Sequence, residues 1–277
     1  MTDYYLNNPD HPLNGLFKIE DKNWTTPIAE INFPLSFKTR LNLIHTIAKK
    51  SFHKGIKNFN ATPRTPDNPD TKYASKHFYN LLTSRDSDPS INDFAEHANE
   101  LIRYYIANAW GVPDIEETQI EAKCFGNMQV HGQRTYPHYH HGFDGVLITY
   151  LTCGGEFDLD LESEDLIVEC EKNVKVEHDK YDHLKNDRAI WGKMGNSTHP
   201  GDFEEEQNML ILDPRPAITY PYNNKAKAYT PKTGNTVIHP GYLWHESNTF
   251  MGTGIRVAII LNFKVGLGKS PEPLTIL

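Results

Sequence analysis

The chain reads as a mainly β protein with its helices gathered near the amino-terminal end, an antiparallel sandwich or barrel rather than a doubly wound sheet. Three observations carry that expectation. Two stretches of helical period lie before Trp110, short strand-like runs separated by Gly, Pro and Asn follow Pro113, and no helix-period segment falls between those runs. The 277 residues are enough to bury a core without staples.

The first helix is expected between Pro34 and Lys54, where Leu35, Leu41, Ile44, Ile47 and Ala48 fall near one face and Lys and Arg lie opposite. A second runs from about Ile91 to Trp110. Ser90 and Asn92 are its candidate caps, and Phe94, Ala98, Leu101, Ile102, Tyr105 and Ile106 form its buried stripe. Asn58 to Ser90, rich in Pro, Asp, Asn, Ser and Thr, reads as a surface connection with at most a short helix near Tyr73 to Leu82. Strands are expected at Gln119 to Gln129, Val146 to Leu151, Glu156 to Leu161, Met209 to Leu212, Asn235 to Ile238 and Ile255 to Lys264. On the last of these, Ile255, Val257, Ile259, Leu261 and Phe263 share one face, and Arg256, Ala258, Ile260 and Asn262 share the other.

Composition narrows the function classes. The net charge of −8 argues against a protein that holds a polyanion, so no nucleic-acid partner is expected. The longest clean apolar run, Val257 to Leu261, is far short of the ~20 residues a membrane-spanning helix needs. Met1 to Asn8 lacks the basic start and apolar stretch of a secretory signal, and a cytoplasmic protein without a membrane partner is the expectation. Cys124, Cys153 and Cys170 show no Cys-x-x-Cys spacing and are expected as free thiols. The charge is uneven: Glu156 to Leu210 holds 16 acidic and 6 basic residues and reads as an insertion between strands.

The sharpest anomaly is histidine. His131, His138, His140 and His141, four of the 14 in the chain, fall within eleven residues, where uniform scattering puts about half of one. On an extended strand His138 and His140 point to the same side, placed to ligate one metal ion. A third ligand must come from elsewhere, and His245, after the turn-strand-turn of Gly234 to Trp244, is the candidate. Eleven positions later Arg256 opens the last strand, and a lone Arg on a mostly apolar barrel strand is expensive unless an anion meets it. His131, His141 and His239 read as structural or supporting residues.

These residues carry a family resemblance. Phe125-Gly-Asn127 leading to Pro137-His138-Tyr-His140, then Asp144-Gly-Val-Leu-Ile-Thr-Tyr150, resembles the central signature of a group of iron(II)/2-oxoglutarate-dependent oxygenases. The likeness continues through Asp213-Pro214-Arg215, the stretch before His245, and Arg256 to Phe263; Trp24 to Ile28 resembles the opening segment. The resemblance implies a double-stranded β-helix, or jelly roll, a cupin-like barrel over residues 116–265 of a single domain, with residues 1–115 as a helical flank and an acidic insertion at about 156–210. It implies iron(II) held by His138, His140 and His245, 2-oxoglutarate as co-substrate with its distal carboxylate on Arg256, and O2 as oxidant. Asn127 and Tyr150 become candidate partners of 2-oxoglutarate oxygens, and Arg134, Tyr136, Arg215 and Trp244 candidates for the substrate mouth. The implied partner is a small molecule or a side chain. A homodimer is the commonest assembly for such barrels.

Two departures stand out. Where the wider superfamily has His-x-Asp or His-x-Glu, this chain has His140, so either the metal takes a neutral third ligand or the acid comes from Asp144. The superfamily's Arg-x-Ser is here Arg256-x-Ala258. A rival resemblance is to cupins, through Gly132, His138-x-His140 and Asp144, and through Gly234, Pro240 and His245; it implies a metal-binding barrel, or a dioxygenase, that does not use 2-oxoglutarate.

Overall fold

The structure is a computed structural model that describes residues 17–20, 26–32, 34–51, 79–129, 134–160, 163, 166–170, 209–212, 226–248, 250, 252–266 and 274–277. In chain order its elements are β1 (Phe17–Glu20), β2 (Ile28–Asn32), α1 (Phe37–Ser51), a 3-10 turn (Leu81–Ser84), α2 (Pro89–Trp110), β3 (Ile120–Gln129), β4 (Thr135–His138), β5 (Gly145–Cys153), β6 (Phe157–Leu159), β7 (Val168–Cys170), β8 (Met209–Leu212), β9 (Ala226–Tyr229), β10 (Asn235–Pro240), β11 (His245–Ser247), β12 (Arg256–Val265) and β13 (Thr275–Ile276). No helix among the described residues is long and apolar enough to cross a membrane.

The strands form a seven-stranded sheet, β1-β2-β10-β5-β12-β3-β13, a four-stranded sheet, β4-β11-β8-β9, and the separate hairpin β6-β7. Eight of them make a rolled-up hairpin. β3 pairs with β12, β4 with β11, β5 with β10 and β8 with β9, all antiparallel, so first meets eighth, second seventh, third sixth and fourth fifth. That nesting, with the chain crossing between the two sheets, is the double-stranded β-helix.

Side-chain alternation sorts the interior into two layers. Ile255, just before β12, and Val257, Ile259, Leu261 and Phe263 of β12 face the helices, in a core with Leu43, Ile44 and Ile47 of α1 and Phe94, Leu101, Ile102 and Tyr105 of α2. Ala258 and Ile260 face the other way, into a lumen shared with Phe125, Val146, Ile148, Tyr150, Val237, Ile211 and Leu243. Full burial of each large apolar side chain stabilises the fold by roughly 1.5–3 kcal/mol. The close seating of α1 on the sheet requires Gly126, because a Cβ there would meet Ile47 at 2.2 Å. A charged clamp fixes the same helix: Arg40 donates to both Glu156 carboxylate oxygens, at 2.8 and 2.9 Å, and to the Leu151 carbonyl, tying α1 to the end of β5.

Several expectations shift. α2 begins earlier than expected, at Pro89, and its cap is Asp88, whose carboxylate accepts from the Ser90 and Ile91 amides. Ser90 and Asn92 lie inside the helix, because proline at the first helical position needs no partner for a missing N–H and leaves the preceding Asp to cap. α1 begins at Phe37 rather than Pro34. Of the short helix expected at Tyr73 to Leu82, residues 73–78 lie outside the described residues and the turn at Leu81–Ser84 occupies the end. The amino-terminal flank is not wholly helical: β2 pairs with β10 and extends the larger sheet. Most of the acidic segment also lies outside the described residues; its start supplies the short strand Phe157–Leu159.

Candidate metal centre

His138 closes β4 and His245 opens β11, and the two are direct partners in the antiparallel register. His140, two residues past His138, is held by a turn: its amide donates to the Gly241 carbonyl at 2.9 Å, and the Gly241 amide donates to the Asp144 carbonyl at 3.0 Å. Gly241 is required there, since a Cβ would lie 2.2 Å from the Phe143 carbonyl oxygen. The result is convergence of three side chains from two places in the chain. The ligand nitrogens of His138, His140 and His245 all lie within 4.8 Å of one another. Nε2 of His140 and Nε2 of His245 are 3.3 Å apart, and their rings stack with an interplanar angle of 7°.

The chemistry of this set suits a divalent cation. His245 Nδ1 donates to the Leu243 carbonyl at 3.1 Å, which fixes the tautomer and leaves Nε2 as the ligating nitrogen. Burial holds the His245 pKa well below its usual value, with the neighbouring His239, His138 and His140 adding to the effect, so the imidazole stays neutral. A spacing near 3.3 Å between ligand nitrogens is what ~2.1 Å metal–nitrogen bonds at a near-tetrahedral or octahedral angle produce. Asp144 is not in the set: it is exposed, and its Oδ2 accepts from the Val265 amide at 2.8 Å. The turn that follows His141 carries it to the end of β12. Among the described residues the group is therefore all imidazole.

Arg256 is 2% exposed and lies on the lumen face of β12, beside Gln129 and Cys153 in register. Its Nε donates to Gln129 Oε1 at 2.7 Å, its Nη2 to the Asn248 carbonyl at 2.8 Å and to Ser247 Oγ at 3.4 Å, and the guanidinium lies 5.3 Å from the Phe250 ring centroid. A wider network holds these partners. Gln129 Nε2 donates to Thr135 Oγ1 and Ser247 Oγ, and Asn127 Nδ2 donates to Thr135 Oγ1 at 2.9 Å. Gln129 and Ser247 were not anticipated; the alternation Phe125, Asn127, Gln129 on β3 was the available signal for the first. Ser247 and His245 are two residues apart on β11, about 7 Å along the strand, so Ser247, which Arg256 reaches, stands on the same strand as one of the imidazoles.

The remaining candidates spread out. Tyr150 is buried in the lumen opposite Ala258; burial raises its phenol pKa, and Arg256 opposes that rise. Cys153 has its thiol pushed up to about 12, chiefly by burial, with Arg256 acting against it. Trp244 is exposed and packs on Tyr139, ring centroids 5.0 Å apart, because it alternates with the inward His245 and faces outward. Arg134 acts on the buried Glu246, whose carboxyl pKa burial raises and Arg134 lowers, and Glu246 also alternates with His245. The Tyr136 side chain and all of Arg215 lie outside the described residues.

No protein-family model and no curated protein matches the chain. Among solved structures it is similar to an oxidoreductase of the 2OG-Fe(II) oxygenase family from Burkholderia pseudomallei, at 9% identity over 58% of this chain and 50% of that one, with a TM-score of 0.31. The chain thus spans half the length of that protein. It is also similar to a prolyl-4-hydroxylase from Pseudomonas putida, at 9% identity over 90% of each chain and a TM-score of 0.43. A third is EvdO2 from Micromonospora carbonacea var. aurantiaca, complexed with 2-oxoglutarate, at 12% identity over 93% of this chain and 96% of that one, with a TM-score of 0.41.

Proposed function

We propose that the protein is an iron(II)- and 2-oxoglutarate-dependent oxygenase that oxidises, in the simplest case hydroxylates, a C–H bond of a small molecule or side chain. One observation carries the reading: three imidazoles converge on one point of the lumen of a double-stranded β-helix that also buries a guanidinium. His138, His140 and His245 would hold the metal. When bound, iron(II) with 2-oxoglutarate and O2 supplies the oxidation of the C–H bond, with release of succinate and CO2.

The chain's own contribution is position and exclusion of water. Arg256 offers a fork of donors suited to a distal carboxylate, and burial in the lumen strengthens that pairing relative to water. Gln129, Ser247 and the Asn248 carbonyl fix its direction. Tyr150 and Asn127 stand on the same lumen face as partners for the remaining 2-oxoglutarate oxygens. Rigid seating of this kind restricts the bound co-substrate to one pose.

The experiment is an anaerobic addition of iron(II) and 2-oxoglutarate, read as a visible metal-to-ligand charge-transfer band, followed by O2 and a succinate assay. A band and O2-dependent succinate are the expected results. A second reading, a cupin-type metal protein that does not use 2-oxoglutarate, draws on the all-imidazole donor set. Stoichiometric metal with neither band nor succinate, and an Arg256→Ala variant indistinguishable from the parent, would establish it instead.

A further inference from the structure

The larger sheet carries a second polar row, at the far end of β5 from Arg256. His239 of β10 and Asn262 of β12 both pair with Val146 of β5, whereas Arg256 pairs with Cys153, seven residues along and roughly 23 Å away. All three residues of the row face the lumen: His239 alternates in step with Val237, Asn262 with Ala258 and Ile260, and Val146 lines the lumen itself. The row adjoins the imidazole cluster, since the His239 ring centroid lies 4.7 Å from that of His245.

Two atoms in this row are buried and meet no hydrogen-bond partner among the described residues: His239 Nε2 and Asn262 Oδ1. The tautomer of His239 is set by its own backbone. Nδ1 lies 2.8 Å from the Pro240 carbonyl, which can only accept, so Nδ1 carries the proton and Nε2 is an acceptor. Both orphans thus look for donors. An unsatisfied buried acceptor is costly, and two flanking one valine in the same layer call for a shared explanation. Lys123, also buried, is the direct register partner of Asn262 and shares the face of Phe125, so an ammonium brought to this row would meet a like charge. A carboxylate, whatever it gained from Lys123, would bring no donor to either orphan acceptor.

We propose that His239 Nε2 and Asn262 Oδ1 form a subsite of the lumen that takes an uncharged, hydroxyl-bearing part of the substrate. The inference deepens the oxygenase reading and rests on it only in calling the ligand a substrate. The hydroxyls donate to the two acceptors across Val146, next to the His245 side of the metal site.

The test uses the full chain, anaerobically with iron(II) and 2-oxoglutarate and again without either. Glycerol, 2-aminoethanol and glycolate are the probes, followed by titration calorimetry and thermal melting. Glycerol is expected to bind and raise Tm in both preparations, with the two charged probes at least tenfold weaker. Asn262→Leu and His239→Phe should each weaken glycerol at least tenfold, while His239→Gln, which restores an acceptor, recovers part of the loss. Absence of glycerol binding by the parent, or equal binding by the variants, overturns the subsite. A rise in Tm of the two apolar variants with no effect on any probe identifies an internal water position and overturns it as well. Loss of the charge-transfer band with glycerol binding intact and variant-sensitive refutes the oxygenase reading and leaves the subsite standing.

Discussion

Replacing Arg256 by Met separates binding from folding. The side chain is fully buried and Met keeps most of its volume, so the lumen stays filled. Lost donors leave Gln129 Oε1 and the Asn248 carbonyl short of a partner, at ~1–3 kcal/mol each, but the variant also no longer buries a charge, and these effects oppose one another. Stability should therefore change little. The co-substrate has no such compensation. A hydrogen bond to a charged group contributes ~1.5–3 kcal/mol, so losing a forked pair at a conservative total of ~3 kcal/mol weakens 2-oxoglutarate by about two orders of magnitude. The assay is an anaerobic titration of 2-oxoglutarate into the iron(II)-loaded protein, followed by the charge-transfer band, with urea unfolding alongside. Arg256→Lys should fall between parent and Met, since an ammonium keeps the charge and loses the fork. An unchanged Kd for Arg256→Met refutes the assignment.

Three further outcomes follow from the geometry. His140→Ala removes one of the three converging imidazoles, so affinity for zinc(II) or cobalt(II), measured by chelator competition, should fall by at least about tenfold; unchanged binding counts against His140 as a ligand. His97 is held neutral by burial, with its pKa lowered to about 4 despite Asp93. Because the unfolded imidazole takes up a proton near pH 6.5 and the folded one does not, this group's stability is complete above that value and falls by up to ~1.4 kcal/mol per pH unit toward pH 4. Urea unfolding of parent and His97→Phe at pH 7.5 and 5 checks it, and parallel losses in the two would sink it. Glu156→Ala releases Arg40 from both of its carboxylate contacts and should lower stability by about 2 kcal/mol, read as a shift in the urea midpoint without a change in slope.

The parts of the site that were legible were those written in short-range periodicity. Alternation suggested that His138 and His140 face one way; β4 ends at His138, and it is the turn hydrogen-bonded to Gly241 that brings His140 round to the same point. The same rule put Arg256 on the opposite face of β12 from the helix-packed core. Applied at the start of β11, it also turns Trp244, a candidate for the substrate mouth, to the opposite side from His245. What escaped depends on register between distant strands. Gln129 acquires meaning only because β3 and β12 pair so that it lies beside Arg256, and no local pattern encodes that offset. Asp144 could not be placed from spacing, since a turn of four residues decides whether its carboxylate returns to the histidines or reaches the Val265 amide. The strand β2 was invisible for a related reason: five residues become a strand because β10 offers an edge.

The nested pairing of the barrel also governs when the imidazoles meet. His138 and His245 are 107 residues apart in the chain, and they become neighbours only through the pairing of the second strand with the seventh. Closure over so long a loop is entropically late, and folds dominated by such contacts assemble slowly. High-affinity metal capture should therefore coincide with the last phase of refolding, instead of preceding collapse as it does at sites built from adjacent residues. Refolding in cobalt(II), with absorbance and tryptophan fluorescence recorded together, would show capture lagging the first fluorescence change; capture in the dead time would place the ligands together before the barrel closes. On the proposed function, such a chain would take its metal as a finished barrel and leave no half-folded species to sequester it.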